Sequence, residues 1–471
     1  MTQHSRKRLA VINVVGLTAD LLGRGLPRLN ALSQRGCLRT IQPALPAVTC
    51  TAQSDYLTGL RPSQHGIVAN GWYHRELAES HFWKQPNQTV RAPKVWERLR
   101  PAIKGFTCAK LFWWYNMYAS VDYSITPRPM YPADGRKVFD IYTAPRDIGP
   151  AIQADLGVFP FPTFWGPAAG VASPQGPPEA VSDWIARAVR WVEARHHPDL
   201  HLIYLPHLDY NLQRLGPRAP AIDQDLARVD QIVGDLVADL SHSGVESLIL
   251  SEYGITEVSK ALHLNRALRE KGWLSIKEEL GKELIDFGAS RAFAICDHQV
   301  AHVYVNDPTI LNQVRALIES IDGVRMIWGD EEKRQHGLDH ERSGELVVFS
   351  HDWAWFTYYY WLEDARAPDF ARCVDIHRKP GYDPVELFMD PQLRFPRLKV
   401  AWRLLQKKIG LRMLMDVIPL DASLVRGSHG TLPDDPVHYP ILLSSDPVFD
   451  GAQDQIASTD IASLIEGFFL S

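Results

Sequence analysis

The chain has 471 residues, 45% of them hydrophobic and 22% charged, which is the composition of a globular protein large enough to bury a substantial core. Its net charge of −5 and the lack of basic clusters beyond 6–8 and 407–408 argue against nucleic-acid binding. Five scattered cysteines without a CxxC pair argue against a disulfide framework and a thiolate zinc site.

No stretch reaches the ~20 apolar residues that span a membrane. The apolar run at 9–15 is too short for a signal sequence and is typical of a first strand. We therefore expect a soluble, cytoplasmic protein. Gly16 ends this strand, a helix is predicted at 21–35 with Gly36 as its stop, and a second strand is predicted at 38–41.

The segment 43–70 comes after that strand and contains the first candidate for catalysis. Pro43 and Pro46 keep the approach extended, and Thr49 falls at the start of a predicted helix. Free backbone N–H groups and the helix dipole favour an anion at such a position. The Thr49 hydroxyl is therefore either a helix cap or a nucleophile beside a bound phosphate.

Strands predicted at 107–113, 200–205 and 245–250 alternate with helices at 92–99, 180–194 and 221–240. This order predicts an α/β fold with a doubly wound, largely parallel sheet and helices on both faces. Ligands gather at the carboxyl ends of strands in such sheets. The residues that come after these three strands are therefore site candidates: Trp113, Trp114 and Tyr115, then His207, Asp209 and Gln213, then Glu252 and Tyr253.

The aromatic group among these candidates has two alternative interpretations. Trp113, Trp114 and Tyr115 either border a substrate pocket or pack in the core. The long loop at 126–142 is predicted to be ordered and to reach the site, and 159–178 is predicted to be a loop.

The region 274–424 is predicted to be an inserted α+β cap. It has strands at 292–296, 302–305 and 345–349 and a helix at 309–318. The main domain would then comprise 1–273 and 425–471, with a last strand at 437–443 and a last helix at 460–468. Asp375 and His377 of the cap either supply ligands or belong to a surface turn.

Together these motifs resemble the type I phosphodiesterase / nucleotide pyrophosphatase family of the alkaline phosphatase superfamily. Thr49 matches the family's nucleophile, Asn70 its phosphate-binding amide and His429 the histidine of its late Gly-x-His-Gly motif. The Thr58-Gly59 turn and the His65-Gly66-Ile67 step also match. The resemblance implies an alkaline phosphatase-like fold and hydrolysis of a phosphodiester or nucleotide pyrophosphate through a phosphothreonine intermediate.

The resemblance also implies two divalent metal ions, but the ligand positions depart from the family pattern. For one metal the chain keeps Asp209 and His429 and has Gln213 where the family has histidine. For the other it keeps Thr49 and has Val15, Glu252 and Tyr253 where the family has Asp, Asp and His. Valine cannot bind a metal, and zinc prefers nitrogen to an amide or phenol oxygen. His207, Asp375 and His377 are possible accessory ligands, and His207 is also typical of a structural histidine.

These residues leave three hypotheses open. The chain is a hydrolase with an altered site that binds one or two divalent ions, zinc or another, and acts on a small phosphorylated substrate. Alternatively, it binds a phosphorylated or aromatic metabolite without turnover. In the third hypothesis Tyr253, Glu252 and His429 carry out metal-independent acid/base chemistry.

Overall fold

A computed structural model describes residues 6–133, 137–164, 179–451 and 453–471. The strands in this part of the chain are β1 (Leu9–Val14), β2 (Cys37–Gln42), β3 (Gly71–His74), β4 (Glu79–Phe82), β5 (Cys108–Leu111), β6 (Tyr123–Pro127), β7 (Ile141–Ala144), β8 (Leu200–Leu205), β9 (Glu246–Leu250), β10 (Thr256–Glu257), β11 (Lys260–Leu262), β12 (Ser275–Glu279), β13 (Lys282–Asp286), β14 (Ala292–Asp297), β15 (Val300–Val305), β16 (Val324–Trp328), β17 (Leu346–Ser350), β18 (Ala354–Phe356), β19 (Gly427–Ser428), β20 (Ile441–Ser444) and β21 (Gln455–Ala457).

The α-helices of the same residues are α1 (Ala19–Leu22), α2 (Pro27–Arg35), α3 (Thr49–Thr58), α4 (Pro62–His65), α5 (Val95–Ala102), α6 (Ile148–Leu156), α7 (Phe161–Phe164), α8 (Glu179–His196), α9 (His207–Leu215), α10 (Ile222–His242), α11 (Leu264–Glu270), α12 (Leu311–Glu319), α13 (Asp330–His336), α14 (Pro396–Lys408) and α15 (Asp460–Leu470).

The main sheet has the strand order β21-β2-β20-β9-β1-β8-β5-β6-β7. Its centre is parallel, because β1 pairs in parallel with β8 and β9, and β5 pairs in parallel with β8 and β6. β20 runs antiparallel between β9 and β2. β1 and β8 are buried along their whole length, as expected of strands covered by helices on both faces. The predicted α/β fold is confirmed.

Several element boundaries differ from the sequence prediction. The helix predicted at 21–35 is two helices, because the chain turns after α1 and Pro27 begins α2 at a position where proline is tolerated. The loop predicted at 126–142 contains the end of β6 and the start of β7, while its residues 134–136 lie outside the described part. Of the loop predicted at 159–178, residues 165–178 lie outside the described part of the chain. The sequence reading missed β16 and the β12–β13 hairpin.

A second, antiparallel sheet has the order β14-β15-β17-β16. Its core draws mainly on residues between 258 and 425, together with Tyr73 and Phe82 of the β3–β4 hairpin. A smaller apolar cluster lies between the two sheets and joins Val48 and Cys50, at the start of α3, to Phe349 of β17. The segment that carries Thr49 is therefore packed against the second sheet. The division into a core and a cap at 274–424 stays a prediction.

All five cysteines are free and buried. No helix within the described ranges is long and apolar enough to cross a membrane.

Candidate active site

Thr49 is the first residue of α3, at the end of the proline-rich approach. The preceding residue, Val48, has an extended backbone and no side chain that could cap the helix. The Asn70 side chain takes over part of this role, because its Oδ1 accepts a hydrogen bond of 2.9 Å from the Cys50 N–H. α3 ends at Gly59, whose φ of 70° is left-handed, as the predicted Thr-Gly turn requires.

Polar contacts fix α3 in the buried interior. Asp55, on its buried face, binds the imidazole of His65 at 2.8 Å and accepts a hydrogen bond of 2.6 Å from Ser458. Tyr56 donates to the Ser251 carbonyl at 2.7 Å. Because buried polar groups are costly when unpaired, these bonds hold the helix in one orientation and so fix the position of Thr49.

A chain of hydrogen bonds connects the Thr49 hydroxyl to a carboxylate. The Thr49 Oγ1 lies 3.2 Å from the Tyr253 hydroxyl, which donates to Asp209 Oδ1 at 3.3 Å. Since Tyr253 donates to Asp209, it accepts from Thr49. The Tyr253 ring stacks on His429 with a centroid distance of 3.5 Å, which holds the phenol in this place.

Two buried carboxyl groups near Thr49 differ in protonation. Burial raises the pKa of Asp209 to about 6, against hydrogen bonds from Gln213 and Tyr253 that lower it. Burial raises the pKa of Glu252 to about 8, although Asn13 and Gln53 donate hydrogen bonds to it. Near neutral pH, Asp209 is therefore mostly ionised and Glu252 mostly protonated.

Two histidines with neutral rings lie beside this chain of hydrogen bonds. His429 donates from Nδ1 to the Ala47 carbonyl at 2.8 Å, and His298 pairs through Nδ1 with Asp297 at 2.8 Å. Their ring centroids are 3.8 Å apart, and burial lowers the pKa of both well below the usual value. Within the described structure the Nε2 atom of each ring has no hydrogen-bond partner, so both are available as acceptors.

A cavity opens in front of Thr49, Asp209 and Tyr253, and most of its wall is aromatic. The aromatic side chains that line it are Trp83, Trp114, Phe164, Tyr204, Tyr210, Tyr253, His298 and Tyr382. Its charged lining residues are the acids Asp209, Asp383 and Glu386, and none of the described lining residues is a lysine or arginine.

The structure brings most of the sequence-predicted residues together. Thr49, Asp209, Tyr253 and Trp114 line the cavity, while Glu252, Gln213 and His429 contact these residues directly. Trp113 packs in the main core and Tyr115 in the cluster between the sheets, so of the three aromatic candidates Trp114 alone lines the cavity. For Trp113 and Tyr115 the packing alternative holds.

The three possible accessory ligands do not join the site. His207 begins α9 rather than extending β8, and side chains two residues apart on a helix point about 200° apart. Its Nδ1 binds Ser182 at 2.8 Å. Asp375 pairs with Arg378 at 3.4 Å, and burial lowers the pKa of His377 to about 4. Neither lines the cavity, although Ile376 between them does.

Sequence reasoning missed residues that the second sheet contributes. Asp297 at the end of β14 accepts from the Asn70 backbone N–H at 2.9 Å and from its side-chain amide at 3.1 Å. His298 is the next residue, and Tyr382 stacks on His298 at 3.8 Å. The rule for the carboxyl ends of parallel strands could not identify Asp297 and His298, because they lie at the turn between the antiparallel strands β14 and β15.

The donors present do not fit the divalent metals that the resemblance implies. Gln213 turns its amide N–H to Asp209 at 2.8 Å and accepts from Tyr382 through its oxygen at 3.3 Å, so its oxygen is already used. Val15 is apolar, and burial raises the pKa of Tyr253 well above 10, so its phenol stays protonated. Among the described residues no cluster of three or more His, Cys, Asp or Glu is arranged to hold an ion.

Comparisons with known proteins agree with the fold. The chain is 24% identical over 262 residues to an uncharacterized pyrophosphatase/phosphodiesterase of Schizosaccharomyces pombe, a match that covers 53% of this chain and 45% of that protein's length. Murine ectonucleotide pyrophosphatase/phosphodiesterase 5, solved as an inactive variant with AMP, superposes with a TM-score of 0.59 at 15% identity, over 98% of this chain and 95% of that one.

Phosphonoacetate hydrolase from Sinorhizobium meliloti, solved with phosphonoformate, superposes with a TM-score of 0.62 at 15% identity, over 99% of this chain and 96% of that one. These likenesses concern the fold. The profile of the type I phosphodiesterase / nucleotide pyrophosphatase family matches residues 9–383, which is most of the chain. The protein therefore belongs to the type I phosphodiesterase / nucleotide pyrophosphatase family.

Proposed function

We propose that this protein hydrolyses small phosphodiesters that carry an aromatic or apolar group, with Thr49 as the nucleophile. The observation that carries the proposal is the hydrogen-bonded chain from Thr49 through Tyr253 to Asp209. A hydroxyl is a weak nucleophile until a base takes its proton. Asp209, with its pKa raised to about 6, is a base close to the range in which such catalysis is efficient.

Recognition of the phosphoryl group would come from backbone and amide donors. The first-turn N–H groups of α3 and the helix dipole favour an anion next to Thr49. Asn70 has two amide N–H donors, of which one goes to Asp297, so the second would contact a phosphoryl oxygen. Glu252, whose pKa burial raises to about 8, is mostly protonated near neutral pH and adds little negative charge.

The charge of the cavity favours a diester. Lys379 offsets part of the charge of Asp383 and Glu386, so the main negative charge of the lining is that of Asp209. Beside it, a phosphomonoester or a pyrophosphate, with two or more negative charges, would be bound less well than a singly charged diester. The aromatic wall would receive the apolar part of the substrate by stacking.

In the first step the Thr49 oxygen forms a bond to phosphorus and the bond to the leaving oxygen breaks. The Thr49 proton moves to Tyr253 as the Tyr253 proton moves to Asp209, and the leaving oxygen takes a proton from solvent. In the second step water adds to phosphorus and releases one proton to solvent, the bond from phosphorus to Thr49 breaks, and Asp209 returns its proton through Tyr253 to the Thr49 oxygen. The bonds made and broken leave Thr49, Tyr253 and Asp209 in their starting states.

The test compares Thr49→Ala with Thr49→Ser. Bis(p-nitrophenyl) phosphate is the diester probe and p-nitrophenyl phosphate the monoester probe. We expect the serine variant to retain turnover and the alanine variant to lose at least about a thousandfold, because the nucleophile is gone. We also expect the diester to be preferred at least about tenfold. Equal turnover by the alanine variant would overturn the proposal.

A second candidate function is ligand binding without turnover. The hydrogen bonds that the Asn70 side chain already makes favour this alternative. Its oxygen caps α3 and its amide group donates to Asp297, so Asn70 has a structural role without a ligand. In that case AMP or the diester probe would bind with the same affinity to the native protein and to Thr49→Ala, and neither protein would release product.

A further inference from the structure

Helix α14 presents large apolar side chains to solvent. Leu398, Trp402 and Leu405 are 67%, 56% and 47% exposed, and Ile409, just after the helix, is 62% exposed. Their spacing of four, three and four residues places all of them on one helix face. These four residues, called here the α14 stripe, form a continuous apolar surface.

The stripe faces away from the protein. Val400 is the one residue of α14 that is buried, and it packs in the second core. Leu398 and Trp402 are each two residues from Val400, which on a helix is a rotation of about 200°. Lys399 and Arg403 hold the helix in place through Asp416, at 3.0 and 2.9 Å. A surface helix normally turns polar residues outward, and this helix does the reverse.

Basic residues surround the stripe. Between 393 and 415 the chain has seven lysines and arginines and no aspartate or glutamate, although the whole protein has a net charge of −5. The seven are Arg394, Arg397, Lys399, Arg403, Lys407, Lys408 and Arg412. Asp416 offsets part of this charge by pairing with Lys399 and Arg403, and the other five basic residues leave the surroundings of the stripe positively charged.

A second partly exposed apolar surface lies on the other side of α14. Lys407 lines a surface cavity together with Phe139, Val158 and Phe159. Val158 is 58% exposed and Phe139 is 39% exposed. Lys407 is seven residues from Val400 and therefore lies on the Val400 side of α14, so this cavity is separate from the α14 stripe.

We propose that the α14 stripe docks the protein on an anionic lipid bilayer. A helix with an apolar face that includes tryptophan, flanked by lysine and arginine, is typical of helices that lie in the membrane interface. Anionic headgroups attract the basic residues while the stripe enters the boundary with the acyl chains. A second copy of this chain fits less well, because it would bring two positively charged surfaces together.

Vesicle binding tests the proposal with the full chain. We expect the protein to co-sediment with vesicles of phosphatidylcholine and phosphatidylglycerol, to bind pure phosphatidylcholine at least about tenfold less, and to be released as salt is raised. Equal binding to both vesicles, or binding to neither, would overturn the proposal.

Variants locate the contact. The double variant Leu398→Gln/Trp402→Gln and the charge variant Lys407→Glu/Lys408→Glu should each lower the partition coefficient at least about tenfold. Leu77→Gln/Leu280→Gln is the matched control, because those leucines are 58% and 104% exposed elsewhere on the surface. Thermal unfolding by circular dichroism checks that all three are folded. An equal loss in the control would overturn the assignment to α14.

Two further measurements separate lipid contact from self-association. All five native cysteines are buried, so a Trp402→Cys variant can be labelled selectively with an environment-sensitive dye. We expect its emission to shift to the blue on anionic vesicles. Sedimentation velocity without lipid should give a monomer, and a dimer that Leu398→Gln/Trp402→Gln abolishes would assign the stripe to a subunit contact and contradict the proposal.

Discussion

Tyr253 stands where the family resemblance predicts a histidine, and its hydroxyl lies between the Thr49 hydroxyl and the Asp209 carboxylate. In the metal-dependent pattern a cation would lower the pKa of the nucleophile. Here the phenol, protonated and stacked on His429, can only relay a proton. Tyr253 and Gln213 both replace histidines of the family pattern, and both side chains donate a hydrogen bond to Asp209. The two departures from the pattern therefore affect the same carboxylate.

Tyr253→Phe tests this relay. The ring can still stack on His429, so the fold should be kept, while the bond from Thr49 towards Asp209 is lost. We expect kcat for bis(p-nitrophenyl) phosphate to fall at least about a hundredfold, the usual size of general base catalysis, with KM changed less than about threefold. Tyr359→Phe is the matched control, since Tyr359 is a buried tyrosine of the second core. Native turnover in Tyr253→Phe would contradict the mechanism.

Glu252 should make the protein less stable at alkaline pH. Its pKa is about 8 in the folded state, against an ordinary value of 4.5. Between these values the folded protein holds a proton that the unfolded chain has released, so stability falls as pH rises from about 4.5 and the loss is complete above about 8. The ionisable groups that interact with Glu252 include Asp209, Tyr204, Tyr253, Tyr56 and Cys50, and a substitution at Glu252 leaves all five in place.

In Glu252→Gln the amide oxygen can still accept from Asn13 and Gln53, but the group does not titrate. We expect the Tm of the native protein to fall between pH 5 and pH 9 by at least about 2 °C more than that of the variant. Differential scanning calorimetry in matched buffers measures both curves. Parallel curves would show that Glu252 is ionised in the folded protein at neutral pH.

At the scale of elements, the segment 379–386, which follows the second sheet in the chain, forms part of the cavity wall and contains a buried cluster of charged residues. Lys379, 2% exposed, pairs with Asp383 and Glu386 at 2.7 Å each. Asp383 and Glu386 line the cavity, so Lys379 holds that part of the wall and offsets their charge. Burial raises the pKa of Glu386 to about 7 even with this partner.

Lys379→Met would leave two buried carboxyl groups without their cation. We expect a loss of about 3–5 kcal/mol in the free energy of unfolding, measured by urea denaturation. Lys277→Met, which removes an exposed pair with Glu279 at 3.0 Å, should cost less than about 1 kcal/mol. A similar small cost for both variants would mean that the cluster adds little to the stability of the wall.

The hydrophobic pattern of the sequence predicted the strands beside the site more accurately than it predicted the segments that follow those strands. The apolar runs at β1 and β8 have no alternation, so burial on both faces could be read directly. The path of the chain after β8 could not be read in this way, because a helix begins directly after Pro206 and turns His207 towards Ser182. The prediction of one helix at 21–35 was wrong for a similar reason, because a single amphipathic pattern in the sequence spans two separate helices, α1 and α2.

At the scale of the whole molecule, the site is made where two sheets meet. The motif spacing of the sequence led to Thr49, Asn70, Asp209 and His429, because each lies at a fixed place in the family pattern. It could not lead to Asp297, His298 or Tyr382, which come from the second sheet and its neighbours. Asp297 is 227 residues from Asn70 along the chain, yet holds it by two hydrogen bonds.

The central claim is that a chain of hydrogen bonds, and not a pair of metal ions, activates Thr49. The most direct test is the turnover of bis(p-nitrophenyl) phosphate before and after exhaustive chelation and dialysis. We expect the rate to be unchanged by chelation and to depend on Tyr253. Loss of turnover on chelation, with recovery when zinc or manganese is added, would contradict the claim and return Asp209 and His429 to the role of metal ligands.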